Sequence, residues 1–212
     1  MVRLFNDNMG IILIGGFSEL FELCEECNYN ILGYVDNHKF IKELSVYPYE
    51  YLGDDDSFPF SKFSNEAGFI ISPDNPLDRE RLAKKLKIYG LKYINLISPN
   101  AKISRSSLLG TGIVIQYGCN VSSLTRIGDF VKINTYANIM HNVQIGDYTT
   151  VAPNAIILGF VNIKSKCYIG ANASILPRIN ICSNVVIGAG AVVTKDITEP
   201  GTYVGIPARR IK

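Results

Sequence analysis

"NIMHNVQIGDYTTVAP", residues 138–153, decides the fold. An aliphatic residue returns at every sixth position, as Ile139, Ile145 and Val151. Four places after each comes a small or β-branched residue: Val143, Thr149, Ala155. Followed outward in both directions, the first column runs without insertion from Ile97 to Val193 and holds only Ile, Leu and Val. The second runs from Ala101 to Ile197 and holds only small or β-branched residues, Cys119 and Cys167 among them. A helix would recur every 3.6 residues, so the period excludes it. Alternation at two fits inside a period of six, so each hexad reads as a short strand and a turn with its aliphatic residue facing inward. One hexad cannot bury its own apolar side, but stacked coils can. Three hexads per coil give a triangular parallel β-prism of about six coils, roughly 27 Å long.

Before position 97 the six-residue register vanishes. "GIILIGG" reads as a strand ending in Gly15 and Gly16. "FSELFELCEEC" follows at helical spacing, with Ser18 as its expected cap. "NILGYVDN" is a second strand, ending at Asp36 and Asn37, and "GFIISP" a third. "DNPLDRERLAKKLKIYG" reads as a helix closed by Gly90. Strand, glycine turn, helix, strand and acid form the outline of a nucleotide-binding βαβ unit: glycines admit a phosphate and the acid accepts from a ribose or base. The full GxGxxG is absent, and glycine also serves such turns for geometry alone. The expected organisation is an α/β Rossmann-like domain over 1–95 and a parallel β-helix with a C-terminal tail over 96–212.

Composition narrows the function. The chain has 212 residues, 47% of them hydrophobic and 19% charged, with a net charge of +2. That is a globular composition with no electrostatic reason to expect nucleic acid or an acidic membrane as partner. No apolar run is long enough to span a bilayer. "MVRLFNDNMG" lacks a signal-peptide core and reads as a short extension before the first strand. Five cysteines, an odd number, argue for a reducing cytoplasm. Cys24 and Cys27 form a lone CxxC, half of what a structural zinc site needs.

Taken together, "ILGYVDN", "YLGDDD", "MHNVQIGDYTTVAPNA", "IGAGAVVTKDI" and "VGIPARRI" resemble the bacterial sugar acyltransferases that join a small βαβ domain to a left-handed hexapeptide-repeat β-helix. A sialic-acid-related O-acetyltransferase branch is similar. The left hand of the coil comes from this resemblance, against the usual right-handed crossover. The resemblance implies acetylation, by acetyl-CoA, of the amino group of a nucleotide-linked amino-deoxy sugar for surface glycans, with 4-amino-4,6-dideoxy sugars as the expected acceptors. It implies a cytoplasmic homotrimer with acetyl-CoA lying between prisms, and no metal.

In the family, the motif histidine is the catalytic base. Here it is His141, in the third place of its hexad, outside both buried columns, with the small Ser123 and Gly159 one coil below and above. A base with a pKa near neutrality can take the proton of an attacking amine. The acid that usually follows is replaced by Asn142, and a frequent second histidine by Thr150. The resemblance places Thr150, Gly159, Ala171, Ala189, Arg209 and Arg210 on acetyl-CoA. It places Gly15, Gly16, Phe17, Asp36, Asn37 and Asn75 on the sugar nucleotide. His38 reads as a surface or nucleotide-site residue. Two competing classes remain: transfer to a hydroxyl, and a non-catalytic scaffold. A hexapeptide-repeat carbonic anhydrase fails, since its zinc needs three histidines and the chain has two, with only His141 in the prism.

Overall fold

The computed structural model describes residues 9–37 and 42–211. His38 and the extension before Met9 lie outside the described residues. The N-terminal part is a parallel sheet of β1 (Gly10–Ile14), β2 (Ile31–Val35), β3 (Tyr51–Gly53) and β4 (Ala67–Ile71), in the order β3-β2-β1-β4. Every residue of β1 and β4 is buried, as expected of central strands covered on both faces. Helix α1 (Ser18–Glu26) sends Leu20, Phe21, Leu23 and Cys24 into one side. Helix α3 (Pro76–Leu86), which follows the short α2 (Phe60–Phe63), sends Leu82, Ala83 and Leu86 into the other.

Two sequence expectations change here. Ser18 is not a cap: Phe17, extended at φ −146° and ψ 114°, occupies the N-cap position, and no side chain caps α1. Helix α3 stops at Leu86, and a tighter turn over Lys87–Tyr89 carries the chain to Gly90, which is left-handed at φ 59°.

From Leu96 onward the chain winds into a left-handed parallel β-helix with three flat faces. Each strand pairs with the one a full coil later, as Asn138 does with Ile156 and Ile139 with Ile157. Face one runs from Leu108–Leu109 to Asn180–Ile181, and face three from Lys102–Ile103 to Val192–Val193. Face two runs from Leu96–Ile97 to Val185–Ile187 and continues into the final strands Gly201–Val204 and Arg209–Arg210. Both sequence columns point inward and form one continuous core from Ile113 to Ile197. Ile97, Ala101, Ile103 and Leu109 are only partly buried, because the first coil has a neighbour on one side only. Polar members of the second column find partners at a constant offset. Thr125 Oγ1 donates to the Met140 carbonyl (3.1 Å) and Thr149 Oγ1 to that of Lys164 (3.2 Å). Cys119 and Cys167 do the same with Asn134 and Cys182, and burial pushes both thiols up to about 11. Neither is a nucleophile. Cys24 is buried in the core of the first domain, and no metal-holding cluster exists among the described residues.

The two parts meet on face two and on the edge it shares with face one. Phe130 and Tyr148 stack there at 5.4 Å, and Tyr93 meets Phe130 edge-on. Arg79, 1% exposed, reaches from α3 into the junction. Its Nε donates to the Phe130 carbonyl, its Nη1 to those of Pro73 and Asp74, and its Nη2 to the Tyr148 carbonyl and Thr150 Oγ1. Lys132, also 1% exposed, rises from face two between Asp74 (2.8 Å), the Ser72 carbonyl (3.0 Å) and the Phe17 ring. Burial depresses the pKa of Lys132, and Asp74 opposes that shift.

Candidate active site

The edge between faces three and one carries His141 and Asn142, which join the strands Asn138–Ile139 and Gln144–Ile145. The turn needs a left-handed residue, and Asn142 supplies it at φ 59°, a conformation asparagine tolerates better than most residues. Its Oδ1 lies 3.1 Å from His141 Nδ1. A carbonyl oxygen can only accept, so this contact favours the tautomer with its proton on Nδ1 and a lone pair on Nε2, the ring nitrogen that lies beside Gly159. The ring is exposed and braced edge-on by Phe160 at 5.2 Å.

Gly159 completes the arrangement. A Cβ there would lie 2.8 Å from His141 Cε1 and 2.9 Å from Nε2, so only glycine leaves the ring in this position. The Gly159 carbonyl accepts from Arg178 N–H (3.0 Å), while its own N–H has no acceptor among the described residues. A free backbone N–H beside an imidazole can donate to a developing negative charge. Gly159→Ala should therefore lower kcat by about tenfold or more with the far-UV circular dichroism unchanged. Equal kcat in the variant would show that the ring position does not matter.

The other sequence-named residues do not gather at this edge. Thr150 is fully buried on face two. Its hydroxyl donates to the Asp74 carbonyl (2.6 Å) and accepts from Arg79. It is roofed by the first domain, which corrects the expectation of a ligand contact. Ala171 and Ala189 lie on the edge between faces two and three, and only a neighbouring prism could bring them to a His141 edge. Arg210 is engaged with Glu199 and the Pro200 carbonyl, and Arg209 with the Ala208 carbonyl.

Gly15, Asp36 and Asn37 come together where β1 and β2 end, in a cleft of about 350 Å³ also lined by Asp55, Asp78 and Arg81. Asp36 Oδ2 accepts from the Gly16 N–H at 2.7 Å, closing the glycine turn against the second strand. Phe17 lies at the base of the turn, its ring under Lys132. Asn75 is elsewhere: its side chain caps α3 at Leu77 N–H, and it lines a separate cavity with Lys166 and Tyr168. Sequence reasoning missed Arg79 and Lys132, the residues that seat this cleft on the prism. It also missed Phe160 beside the histidine and Arg178 stacked on Phe160.

A family model for the bacterial transferase hexapeptide (six repeats) matches residues 124–159 and 160–195. Among curated proteins none matches by sequence. Solved structures do match over nearly the whole chain. One is perosamine N-acetyltransferase from Caulobacter crescentus, solved with a histidine replaced by asparagine and with CoA and GDP-perosamine bound. It has a TM-score of 0.89 and 24% identity, over 97% of this chain and 98% of that one. PerB from the same organism, with the same ligands, gives 0.89 and 25% over the same shares. WeeI from Acinetobacter baumannii gives 0.81 and 27%, over 96% of this chain and 100% of that one. Residues 124–195 are thus hexapeptide repeats of the bacterial transferase type, and the chain as a whole has the two-part fold of these proteins.

Proposed function

We propose that the protein transfers acetyl from acetyl-CoA to the amino group of a nucleotide-linked amino-deoxy sugar, with a 4-amino-4,6-dideoxy hexose as acceptor, for surface glycan assembly. The observation that carries this reading is the exposed His141–Asn142 pair with Gly159 beside it, on a prism whose first domain offers a separate nucleotide-sized cleft. The Caulobacter protein binds CoA and GDP-perosamine in this same fold, which supports both substrates.

The chemistry follows from the side chains. The amine lone pair attacks the thioester carbonyl carbon, and the π pair moves onto oxygen. His141 Nε2 takes the proton that leaves the nitrogen. The Gly159 N–H stabilises the oxyanion. Collapse of the tetrahedral species breaks the carbon–sulfur bond, and the imidazolium returns its proton to the departing thiolate. Asn142 orients the ring through this cycle without adding charge. No acyl-enzyme is required, in keeping with the burial of Cys119 and Cys167.

The sugar must come from another subunit. The first domain covers face two, and in a triangular prism the His141 edge lies directly opposite that face. A cyclic homotrimer resolves this, because it sets the His141 edge of one prism beside the neighbour's Ala171–Ala189 edge. Acetyl-CoA then lies between prisms. The enzyme works in the cytoplasm, where its donor is made. Among the described residues no helix is long and apolar enough to cross a membrane.

A thiol-release assay with acetyl-CoA and UDP-, dTDP- and GDP-linked amino sugars tests the proposal. Release with one amino sugar, and none with its hydroxyl counterpart, is the expected result. A folded protein that binds acetyl-CoA yet releases thiol with none of them would contradict it.

A further inference from the structure

The prism edges repeat a left-handed backbone position once per coil, and in this chain large residues occupy many of them. Non-glycine residues there cost conformational energy, most for a bulky side chain. On the edge beneath the first domain the cost has a visible return. Phe130 (φ 54°) and Tyr148 (φ 59°) pack the junction, and Lys166 (φ 61°) reaches Glu80. On the His141 edge the same positions hold Leu124, Asn142, Phe160 and Arg178, at φ 58°, 59°, 63° and 65°. Asn142 buttresses the base. Phe160 braces the His141 ring, and Arg178 shows no structural return of this kind among the described residues. Phe160 is 44% exposed. Arg178 is exposed, has no carboxylate partner among the described residues, and lies with its guanidinium 4.6 Å from the centre of the Phe160 ring.

Together the three side chains form a ladder: the imidazole and Phe160 rings meet at 87°, and the guanidinium lies over the Phe160 ring. Arg178 stands two coils beyond His141, about 10 Å along the prism axis. The glycine turn of the first domain abuts Lys132, half a coil before His141, so the ladder points away from the level at which a nucleotide sugar is held. A stacked, unpaired guanidinium binds phosphate through its fork of N–H donors.

We infer that Phe160 and Arg178 hold the phosphate-bearing arm of the acyl donor on the catalytic edge, with its thioester end at His141. This rests on the proposed use of acetyl-CoA. The shared chemistry is a phosphate ester, and the sugar nucleotide also carries phosphates, so the test must separate the two.

Arg178→Gly is the informative variant, because glycine suits φ 65° and removes the guanidinium without straining the fold. The expected result is a KM for acetyl-CoA raised about tenfold, with the KM for the sugar nucleotide and kcat at saturating donor within about twofold. Arg178→Lys should recover part of the loss. With S-acetyl-N-acetylcysteamine, a donor without phosphate, the ratio of wild-type to variant kcat/KM should fall toward one. Calorimetric titration with CoA alone should show the same loss of affinity with no acceptor present. An unchanged CoA affinity in Arg178→Gly would overturn the inference while leaving the transferase reading intact. So would a rise confined to the sugar-nucleotide KM, or dissociation of the oligomer. Failure of the wild-type protein to bind CoA would overturn both.

Discussion

His141→Asn is expected to lower kcat by about 10²–10⁴ and to leave the KM for each substrate within a few fold. The loss is confined to the chemical step because His141 stands on an exposed edge and contributes nothing to either buried column. Asparagine can keep a polar contact with Asn142 but cannot take a proton near neutral pH. The expected signature is therefore a fall in kcat with thermal stability unchanged. Asn142→Ala should be milder, near tenfold, since it removes the bond that selects the tautomer but leaves the imidazole. Steady-state kinetics on the two variants, with a melting curve for each, check the pair. A His141→Asn enzyme with more than about a third of wild-type kcat would place the base elsewhere.

Arg79→Met should destabilise the protein by about 3–5 kcal/mol, more than any surface substitution. Its guanidinium is almost wholly buried and supplies five hydrogen bonds, to the carbonyls of Phe130, Pro73, Asp74 and Tyr148 and to Thr150 Oγ1. Burial lowers its pKa to about 10, with Asp74 opposing, and it stays charged at neutral pH. Removing it leaves the Phe130, Pro73 and Tyr148 carbonyls without that donor in the junction, which costs more than the bonds contributed. For a chain of this length each kcal/mol is worth about 2–4 °C, so the melting temperature should fall by roughly 6–20 °C. The KM for the sugar nucleotide should rise as well, because the Pro73–Asp74 loop that Arg79 holds borders the cleft containing Gly15 and Asp36. Calorimetry measures the first effect. A shift under about 2 °C would show that the aromatic packing of Tyr93, Phe130 and Tyr148 suffices to hold the parts together.

The prism was legible because every hexad states the same rule, and a coil-length step through the sequence is a real contact. That step alone places Gly159 beside His141. What it did not reveal is which face is covered. Thr150 occupies an outward position like any other, and only the docking of the first domain on face two turns it into a buried bond partner. Arg79 is hidden for a related reason: in "DRERLAKK" it looks like the exposed Arg81 and Lys84 beside it. The glycine turn and Asp36 were legible from strand ends, and their 2.7 Å bond gives that pattern a geometry. Asn75 was not, because an Asn-Pro step reads equally as a ligand contact and as the helix cap it makes. Strand β3 lay unread inside "YLGDDD", since a three-residue edge strand has too short a pattern to register.

The identity of the product distinguishes acetyl transfer to an amine from every alternative. The enzyme is incubated with acetyl-CoA labelled in the acetyl group and an amino sugar nucleotide, and the sugar is recovered and treated with hydroxylamine. The expected product is labelled sugar nucleotide that keeps its acetyl group, because the new bond is an amide. Label released by hydroxylamine would reveal an ester and a hydroxyl acceptor, and unlabelled sugar across the amino sugar panel would contradict acetyl transfer to amines altogether.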